Sequence, residues 1–368
     1  MPTDTQQLLN KSCFTSVPFH PVPQDDKLVW AGSPEVKDKL LKLVNEVRPN
    51  EMELSHLLLI YGEYGSGKTH AMKFLRSELS QDDRVLAAYL EKPKVEKKGS
   101  FHGIVKEVFK QIGQKRLKQA SARLIQYIEE EIEQQIREIA AGGDPDQIQA
   151  LTDNPEETKS NIKSSIQQRL CPVFPELLAL LEGLQSDDAT AWQYFAAAPS
   201  AKQLANYGLN SPMSDDVDAL HALQAVYHVL TREYDEIPDT PIYDAAYIFI
   251  DEIEQFLEMK SDEILSIRTG LRDIFNACPQ HFCLMLASTA ENVSLFHGLL
   301  EEALMVRVTA DPIHIPSHDE VQDGAEFLTG LMGNYRSEAP PTNTHPFTPE
   351  ALKAIVDRTS SPRTARKL

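Results

Sequence analysis

A glycine-rich loop that follows a short apolar run constrains this chain more than any other feature of its sequence. Residues 57–61 (LLLIY) form an apolar run that stops at a glycine, as a buried parallel strand would. From that glycine the sequence GEYGSGKT fits the pattern G-x-x-x-x-G-K-[ST] in full, and a helical pattern follows it. Such a loop lets backbone N–H groups converge on phosphate oxygens, and the following helix dipole attracts the same anion. The segment therefore predicts a phosphate-binding loop (P-loop).

The residues of this loop have separate expected tasks. Lys68 is expected to place a cation between the β- and γ-phosphates and to act in catalysis, while the Thr69 hydroxyl can bind Mg²⁺. ATP and Mg²⁺ are the expected cofactors. The expected nucleotide-binding residues are Gly62, Glu63, Tyr64, Gly65, Ser66, Gly67, Lys68, Thr69 and His70.

An acidic pair follows a second apolar run far along the chain. Residues 246–250 are apolar and precede Asp251 and Glu252, the arrangement of a Walker B element. We expect Asp251 to hold Mg²⁺ and Glu252 to act as general base on the attacking water. Alone, such a pair could be an ordinary surface pair. Together with a complete P-loop it favours hydrolysis over transfer of a phosphoryl group to a small molecule.

The order of the apolar runs predicts an α/β fold with a parallel sheet flanked by helices. Predicted strands cover residues 57–61, 85–90, 246–250 and 283–287, with a weaker one at 313–315. Helical patterns cover 34–47, 68–79, 172–184, 216–234 and 264–276, and an isoleucine stripe marks one more helix at 125–139, with a break at 142–145. More than a hundred residues separate the two groups of strands, too many and too structured for a loop, so we expect a helical subdomain there.

Charge is sorted along the chain, whose formal net charge is −19. Residues 92–123 carry ten basic and two acidic side chains, whereas residues 124–240 carry twenty-one acidic and six basic ones. The overall acidity argues against a protein that coats nucleic acid with its whole surface, although a local basic patch remains available.

Four scattered cysteines are typical of a reducing compartment. Cys278 and Cys283 flank His281, but no second ligand pair with zinc-like spacing accompanies them, so we expect both to be small buried residues. The first residues lack the apolar segment of a secretory signal, and no run approaches the roughly 18 apolar residues of a membrane span. We therefore expect a cytoplasmic protein with no membrane partner.

With its P-loop and Asp-Glu pair, the chain resembles an AAA+ ATPase. The similar branch holds origin-recognition and helicase-loader ATPases and the ATPase regulators of transposition. The resemblance covers residues 28–117 and 241–368 and implies an AAA+ core split by a large insertion. The implied organisation is an N-terminal arm (1–27), two core halves (28–117 and 241–316), an acidic helical insertion (118–240) and a partial helical lid (317–368).

The resemblance also implies further site residues. In that family a polar sensor residue ends the strand after Walker B, which corresponds to Ser288 or Thr289. An arginine from a neighbouring subunit approaches the γ-phosphate, and Arg307 lies in the corresponding segment. Arg363 resembles the lid arginine that approaches the nucleotide from above, with Arg366 as a second candidate one turn later.

Two functions follow as expectations. The resemblance implies an oligomeric ATP-driven switch that acts on DNA or on DNA-bound partners, with residues 92–123 contacting the DNA backbone. For those residues the alternative is a solvated helix face balanced against the acidic insertion. The alternative function is a nucleotide-controlled signalling or defence protein that binds protein partners through residues 124–240. A small-molecule kinase is a third, less favoured interpretation.

Overall fold

Five strands form one parallel sheet, which is the framework for everything else in the chain. They are β1 (His56–Gly62), β2 (Val85–Leu90), β3 (Ala245–Ile250), β4 (Phe282–Thr289) and β5 (Ile313–His314). Their spatial order is β2-β3-β4-β1-β5, and every pairing is parallel. The structure is a computed structural model that describes residues 4–16, 28–49, 54–91, 101–231, 241–289, 296, 300, 302–317, 321–336 and 339–359.

Helices cover both faces of the sheet and form the segments between its strands. They are α1 (Asp4–Lys11), α2 (Pro34–Asn45), α3 (Lys68–Ser80), α4 (Phe101–Ile112), α5 (Gln114–Gly142), α6 (Pro145–Asp153), α7 (Pro155–Leu170), α8 (Leu177–Gln185), α9 (Ala189–Ala196), α10 (Ala201–Leu204), α11 (Asp216–Thr231), α12 (Ser261–Ala277), α13 (Glu302–Met305), α14 (Val321–Gly333) and α15 (Pro349–Arg358). Short 3₁₀ segments span Ala205–Tyr207 and Ile253–Glu258.

Successive side chains of each strand enter two different hydrophobic cores. Leu58 and Ile60 of β1 pack with residues of α2 and α3, whereas Leu57 and Leu59 pack with residues of α4, α5 and α11. A strand has a side-chain period of two, so a sheet covered on both faces needs apolar residues at every position. That requirement explains the continuous apolar runs and confirms the predicted α/β fold with a parallel sheet flanked by helices.

Two predicted elements need correction. The helix predicted over 172–184 begins only at Leu177, since residues 172–176 form turns around two prolines that cannot donate to a helix. The segment 1–27, expected to be an N-terminal arm, contains the helix α1, and Leu9 and Phe14 pack against α14 and α15. A helix of eight residues gives too few periods to be recognised, and its packing against distant residues cannot be read from local sequence.

The helices between β2 and β3 share one core with the sheet. Leu86 of β2, Ile128 of α5, Leu181 of α8 and Val226 of α11 belong to a single cluster of buried side chains. We expected a subdomain, which would have a core of its own, whereas these helices extend the core of the sheet. Only the outer part projects: α6 has no buried residue, and Ile136 and Ile139 at the end of the predicted isoleucine stripe are only partly buried.

Candidate nucleotide-binding site

The carboxyl ends of β1, β3 and β4 bring the predicted site residues to one edge of the sheet. Gly62, the first residue of the P-loop, pairs with Thr289, and Ile250, just before Asp251, pairs with Leu286. Parallel strands end on the same side, and the crevice beyond their carboxyl ends is where open α/β sheets bind ligands. The P-loop, the Asp-Glu pair and the residues Ser288 and Thr289 are therefore neighbours.

The glycines of the P-loop are required by its geometry. A Cβ atom on Gly62 would lie 2.5 Å from the carbonyl oxygen of Ile315, so any other residue would push the loop away from the sheet. Gly65 and Gly67 have φ values of 83° and 111°, which side chains disfavour. Gly67 immediately precedes α3, whose N-terminus therefore faces the loop.

The Lys68 side chain is folded over the loop. Its ammonium donates to the carbonyl oxygens of Gly62 at 2.8 Å and Glu63 at 2.9 Å, and the residue is only 6% exposed. Burial lowers the pKa of Lys68, and the negative charges of Asp251 and Glu254 oppose that decrease. The cation is therefore positioned inside the loop and surrounded by acidic side chains.

The buried carboxylate of Asp251 joins the two halves of the site. Its Oδ2 atom accepts hydrogen bonds from the Thr69 hydroxyl at 2.6 Å and the Tyr89 hydroxyl at 3.1 Å. Its Oδ1 atom accepts from the backbone N–H of Glu252 at 2.8 Å. Burial raises the pKa of Asp251, while these three hydrogen bonds and the Lys68 charge act in the opposite direction. A hydroxyl and a carboxylate in contact are an oxygen donor set that fits Mg²⁺.

Glu252 has an unusual backbone conformation. Its φ and ψ angles are 52° and 43°, in the left-handed region that non-glycine residues rarely adopt. The hydrogen bond to Asp251 holds the turn, and the Gln255 amide donates to the Glu252 carboxylate. Strained backbone of this kind is often found at functional sites, where the surrounding structure enforces it. The surrounding hydrogen bonds therefore hold Glu252 in one backbone conformation directly after Asp251.

Both predicted sensor residues contact Glu254. The Ser288 hydroxyl donates to Glu254 Oε2 at 3.0 Å, and the backbone N–H of Thr289 donates to the same oxygen at 3.1 Å. Ser288 is fully buried. The structure therefore places Ser288 and Thr289 beside the P-loop, with their two donors directed at one carboxylate.

The remaining P-loop residues differ in their surroundings. Tyr64 is 67% exposed, whereas Ser66 is buried. Among the described residues, the Ser66 hydroxyl and the Oε2 atom of Glu63 are buried without a hydrogen-bond partner. Such polar atoms fit a site whose ligand supplies the missing partners. A His70 ring nitrogen lies 2.6 Å from the carbonyl oxygen of Val29, and burial lowers the pKa of this imidazole.

Arg307 does not join the other residues. It follows α13, and Val308 pairs with Leu57 at the amino end of β1. That point is about 17 Å along the strand from Gly62, at ~3.3 Å per residue. The Arg307 backbone therefore lies near the amino ends of the strands, whereas the P-loop of its own chain lies at their carboxyl ends. Arg363 and Arg366 lie outside the described residues.

Three residues of the site were not predicted: Tyr89, Glu254 and Gln255. Tyr89 is the one polar side chain in a run that is otherwise aliphatic (VLAAYL), and that signal could have been recognised. The positions of the Glu254 and Gln255 side chains depend on the turn at Glu252, which no sequence pattern indicates.

The basic segment is partly used within the chain. Arg116 donates to the carbonyl oxygens of Val85 and Ser80, Lys118 pairs with Asp187, and Lys106 is buried. Residues 92–100, which hold four of the ten basic residues, lie outside the described residues.

The two cysteines beside His281 have structural positions. Cys278 caps the end of α12 and Cys283 is buried in β4, while a His281 ring nitrogen lies 3.0 Å from the Val47 carbonyl oxygen. Within the described ranges, no group of three or more His, Cys, Asp or Glu side chains could hold a metal ion. No helix in the described part of the chain is long and apolar enough to cross a membrane.

Comparison with known families agrees with this geometry. A family model described as an AAA domain matches residues 52–152. The match includes the P-loop and ends inside the predicted insertion. It supports an AAA-type P-loop ATPase and covers less than half of the chain. No curated protein matches the chain.

Proposed function

We propose that this chain binds ATP with Mg²⁺ and hydrolyses it with water as the nucleophile. The observation that carries the proposal is the 2.6 Å hydrogen bond between Thr69 and Asp251, which joins a P-loop to an acidic pair across the sheet edge. Both motifs are needed for hydrolysis, and neither alone distinguishes it from simple phosphate binding.

Each residue has a role that its surroundings support. The backbone N–H groups of the P-loop and the Lys68 ammonium bind the phosphates, and Thr69 and Asp251 hold the metal ion. Mg²⁺ supplies positive charge that neutralises the phosphate oxygens. Glu252 takes a proton from the attacking water as general base. Ser288 and Thr289 are proposed as the polar residues that help to position this water, although both donors are directed at Glu254 in this structure. His70 contacts the Val29 carbonyl oxygen through its ring and is proposed as a further nucleotide-binding residue beside Thr69.

We further propose that the active form is an oligomer. The Arg307 backbone lies about 17 Å along β1 from its own P-loop, at ~3.3 Å per residue, and this distance favours action in the site of a neighbouring subunit. An arginine that neutralises transition-state charge from outside would make hydrolysis depend on assembly. AAA domains often oligomerise, which favours a second copy of this chain as that neighbour. Arg363, with Arg366 as the alternative, is proposed as the lid contact.

The finer function is an assembly switch that acts on DNA or on DNA-bound partners. The exposed basic residues Lys110, Lys115 and Arg123 favour contact with a phosphate backbone. The intramolecular contacts of Arg116 and Lys118 favour the other candidate, in which the acidic helices bind proteins and no nucleic acid is needed. Because these helices share the core of the sheet, the comparison between the two functions requires the full chain and not an isolated insertion.

Three variants test the proposal in one series. Lys68→Ala is expected to abolish nucleotide binding, whereas Glu252→Gln should bind ATP normally and hydrolyse it about 10²-fold or more slowly. Arg307→Ala should bind ATP normally and lose hydrolysis at protein concentrations where the wild type assembles. A Glu252→Gln protein that hydrolyses ATP at the wild-type rate would rule out Glu252 as the general base.

Size measurement of the Glu252→Gln protein separates the finer functions. Assembly that requires both ATP and duplex DNA would support the DNA-directed switch. Assembly with ATP alone, together with hydrolysis that DNA does not change at low salt, would favour the protein-binding alternative.

A further inference from the structure

Glu254 occupies a position in the site that the proposed mechanism does not use. One of its carboxylate oxygens accepts both the Ser288 hydroxyl and the Thr289 N–H, at 3.0 and 3.1 Å. Thr289 pairs directly with Gly62 across the sheet, so this carboxylate is anchored beside the first residue of the P-loop. Two donors on one buried strand end hold the acid in a defined place.

The charge balance around this carboxylate is unfavourable for an additional anion. Lys68 is the P-loop cation, and it lies within electrostatic reach of four carboxylates, those of Asp251, Glu254, Glu252 and Glu63. The Asp251 carboxylate accepts hydrogen bonds from Thr69 and Tyr89, and the Glu252 carboxylate accepts one from the Gln255 amide. Glu254 is the remaining acid that is anchored to the sensor residues.

Glu254 also engages hydrogen-bond donors that could otherwise serve a phosphate. The Ser288 hydroxyl has a single proton, and it points at Glu254 Oε2. The Thr289 N–H is likewise directed at that oxygen. A γ-phosphate bound at this end of the site would therefore meet both the repulsion of a carboxylate and two donors that are already in use. Both effects would weaken the binding of a triphosphate, and a diphosphate, which lacks the γ-phosphate, would be affected less.

We propose that Glu254 sets the preference of this site between ATP and ADP, by weakening the binding of the γ-phosphate. This inference rests on the proposed function, because it requires the P-loop to bind nucleoside phosphates. Glu254 acts as a selectivity residue, which restrains triphosphate binding so that ADP competes effectively. Its role is separate from proton transfer by Glu252.

The test measures equilibrium binding and needs no hydrolysis. Dissociation constants for ADP and for AMP-PNP, a triphosphate analogue that is not hydrolysed, are measured with Mg²⁺ for the full-length wild type and for Glu254→Gln. The amide keeps an acceptor for Ser288, removes the charge and adds N–H donors. We expect the preference for AMP-PNP over ADP to increase about fivefold, since one charge is removed near one extra phosphate. Glu254→Ala, which removes the charge and both hydrogen bonds, should shift the preference in the same direction.

Glu258→Gln is the matched control, because Glu258 is an exposed acid on the same 3₁₀ segment. It should leave the preference unchanged. An unchanged preference in both Glu254 variants would overturn the inference, as would an equal shift in the control. If binding were unchanged and a separate hydrolysis assay of Glu254→Gln gave a lower turnover, the inference would also be overturned, and Glu254 would be a positioning residue for Ser288. A wild type that binds neither nucleotide would instead refute the proposed function itself.

Discussion

At the scale of single residues, the left-handed backbone of Glu252 has a measurable thermodynamic cost. The Glu252→Gly and Glu252→Ala variants both lose the carboxylate and its contact with Gln255, but only glycine adopts a φ of 52° without strain. We expect the glycine variant to be more stable than the alanine variant by about 1 kcal/mol. Chemical denaturation of both proteins measures the difference. Equal stabilities would show that the turn is not strained.

The same residue illustrates what sequence could and could not reveal about the site. Fixed spacing and a preceding apolar strand identify both motifs, so the proximity of the P-loop to Asp251 and Glu252 was predictable. The hydrogen-bond partners of these residues could not be predicted as easily from the sequence. A hydrogen bond between Thr69 and a residue 182 positions later follows from strand order, which single-sequence periodicity does not give. Whether the carboxylate beside Ser288 belongs to Glu252 or Glu254 depends on one backbone turn.

At the scale of helices and strands, a close helix contact should reverse the usual effect of replacing glycine. A Cβ atom on Gly270 of α12 would lie 2.1 Å from the Phe101 ring of α4, whereas nothing lies within 4 Å of one on Gly330 of α14. Alanine is the better helix former by about 1 kcal/mol. We expect Gly330→Ala to stabilise the protein and Gly270→Ala to destabilise it by about 1–3 kcal/mol. Thermal melts of the two variants give the comparison, and stabilisation by both would contradict the α4–α12 contact.

Strand β1 contains a buried histidine that should make stability depend on pH. His56 is 1% exposed, and neither ring nitrogen has a hydrogen-bond partner among the described residues. Burial lowers the pKa of His56, with Glu46, 3.7 Å away, acting in the opposite direction. The unfolded chain therefore binds more protons below the ordinary histidine pKa of about 6.5, and stability decreases as pH falls below that value.

The variant His56→Leu should remove this contribution. Denaturant titrations at a series of pH values between 5 and 8 are expected to show a smaller loss of stability on acidification than in the wild type. Parallel curves for the two proteins would mean that His56 does not titrate differently in the folded state.

The positions of strands and helices were largely predictable, whereas their packing was not. Strand β2 was predicted at its observed bounds because each of its residues is buried, which yields an uninterrupted apolar run. The helical periodicity of α5 likewise showed which face is buried, but not what covers it. Ile128 and Ile132 pack into the core of the sheet, whose strands are separated from these two residues by long stretches of chain.

At the scale of the whole molecule, the two ends of the described chain are packed together through Arg336. Its guanidinium donates to the carbonyl oxygens of Ser12 at 2.9 Å, Asn343 at 3.2 Å and His345 at 2.5 Å. It also lies 4.5 Å from the centre of the Phe14 ring. The N-terminal helix α1 and the residues that follow it are therefore packed against α14 and α15.

Replacing Arg336 should release this N-terminal segment. Lysine keeps the charge but lacks the planar fork that contacts three carbonyl groups, so Arg336→Lys is expected to loosen the segment nearly as much as Arg336→Ala. Hydrogen exchange of residues 4–16 should become several-fold faster in both variants, since local protection reports local stability. Arg358→Lys, on an exposed turn of α15, serves as the control. Wild-type exchange in both Arg336 variants would show that Phe14 and its neighbours hold the segment without the arginine.

If Arg307 acts in the site of a neighbouring subunit, as proposed, the specific activity depends on how many subunits lie at the end of an assembly. If each subunit supplies its arginine to the next, a closed ring has no subunit without a donor. An open filament always has one, whatever its length. Specific activity would then rise toward a plateau as filaments grow longer, but would reach its full value in a single step when a ring closes. Activity measured against protein concentration would thus report the topology of the assembly before any image of it is taken.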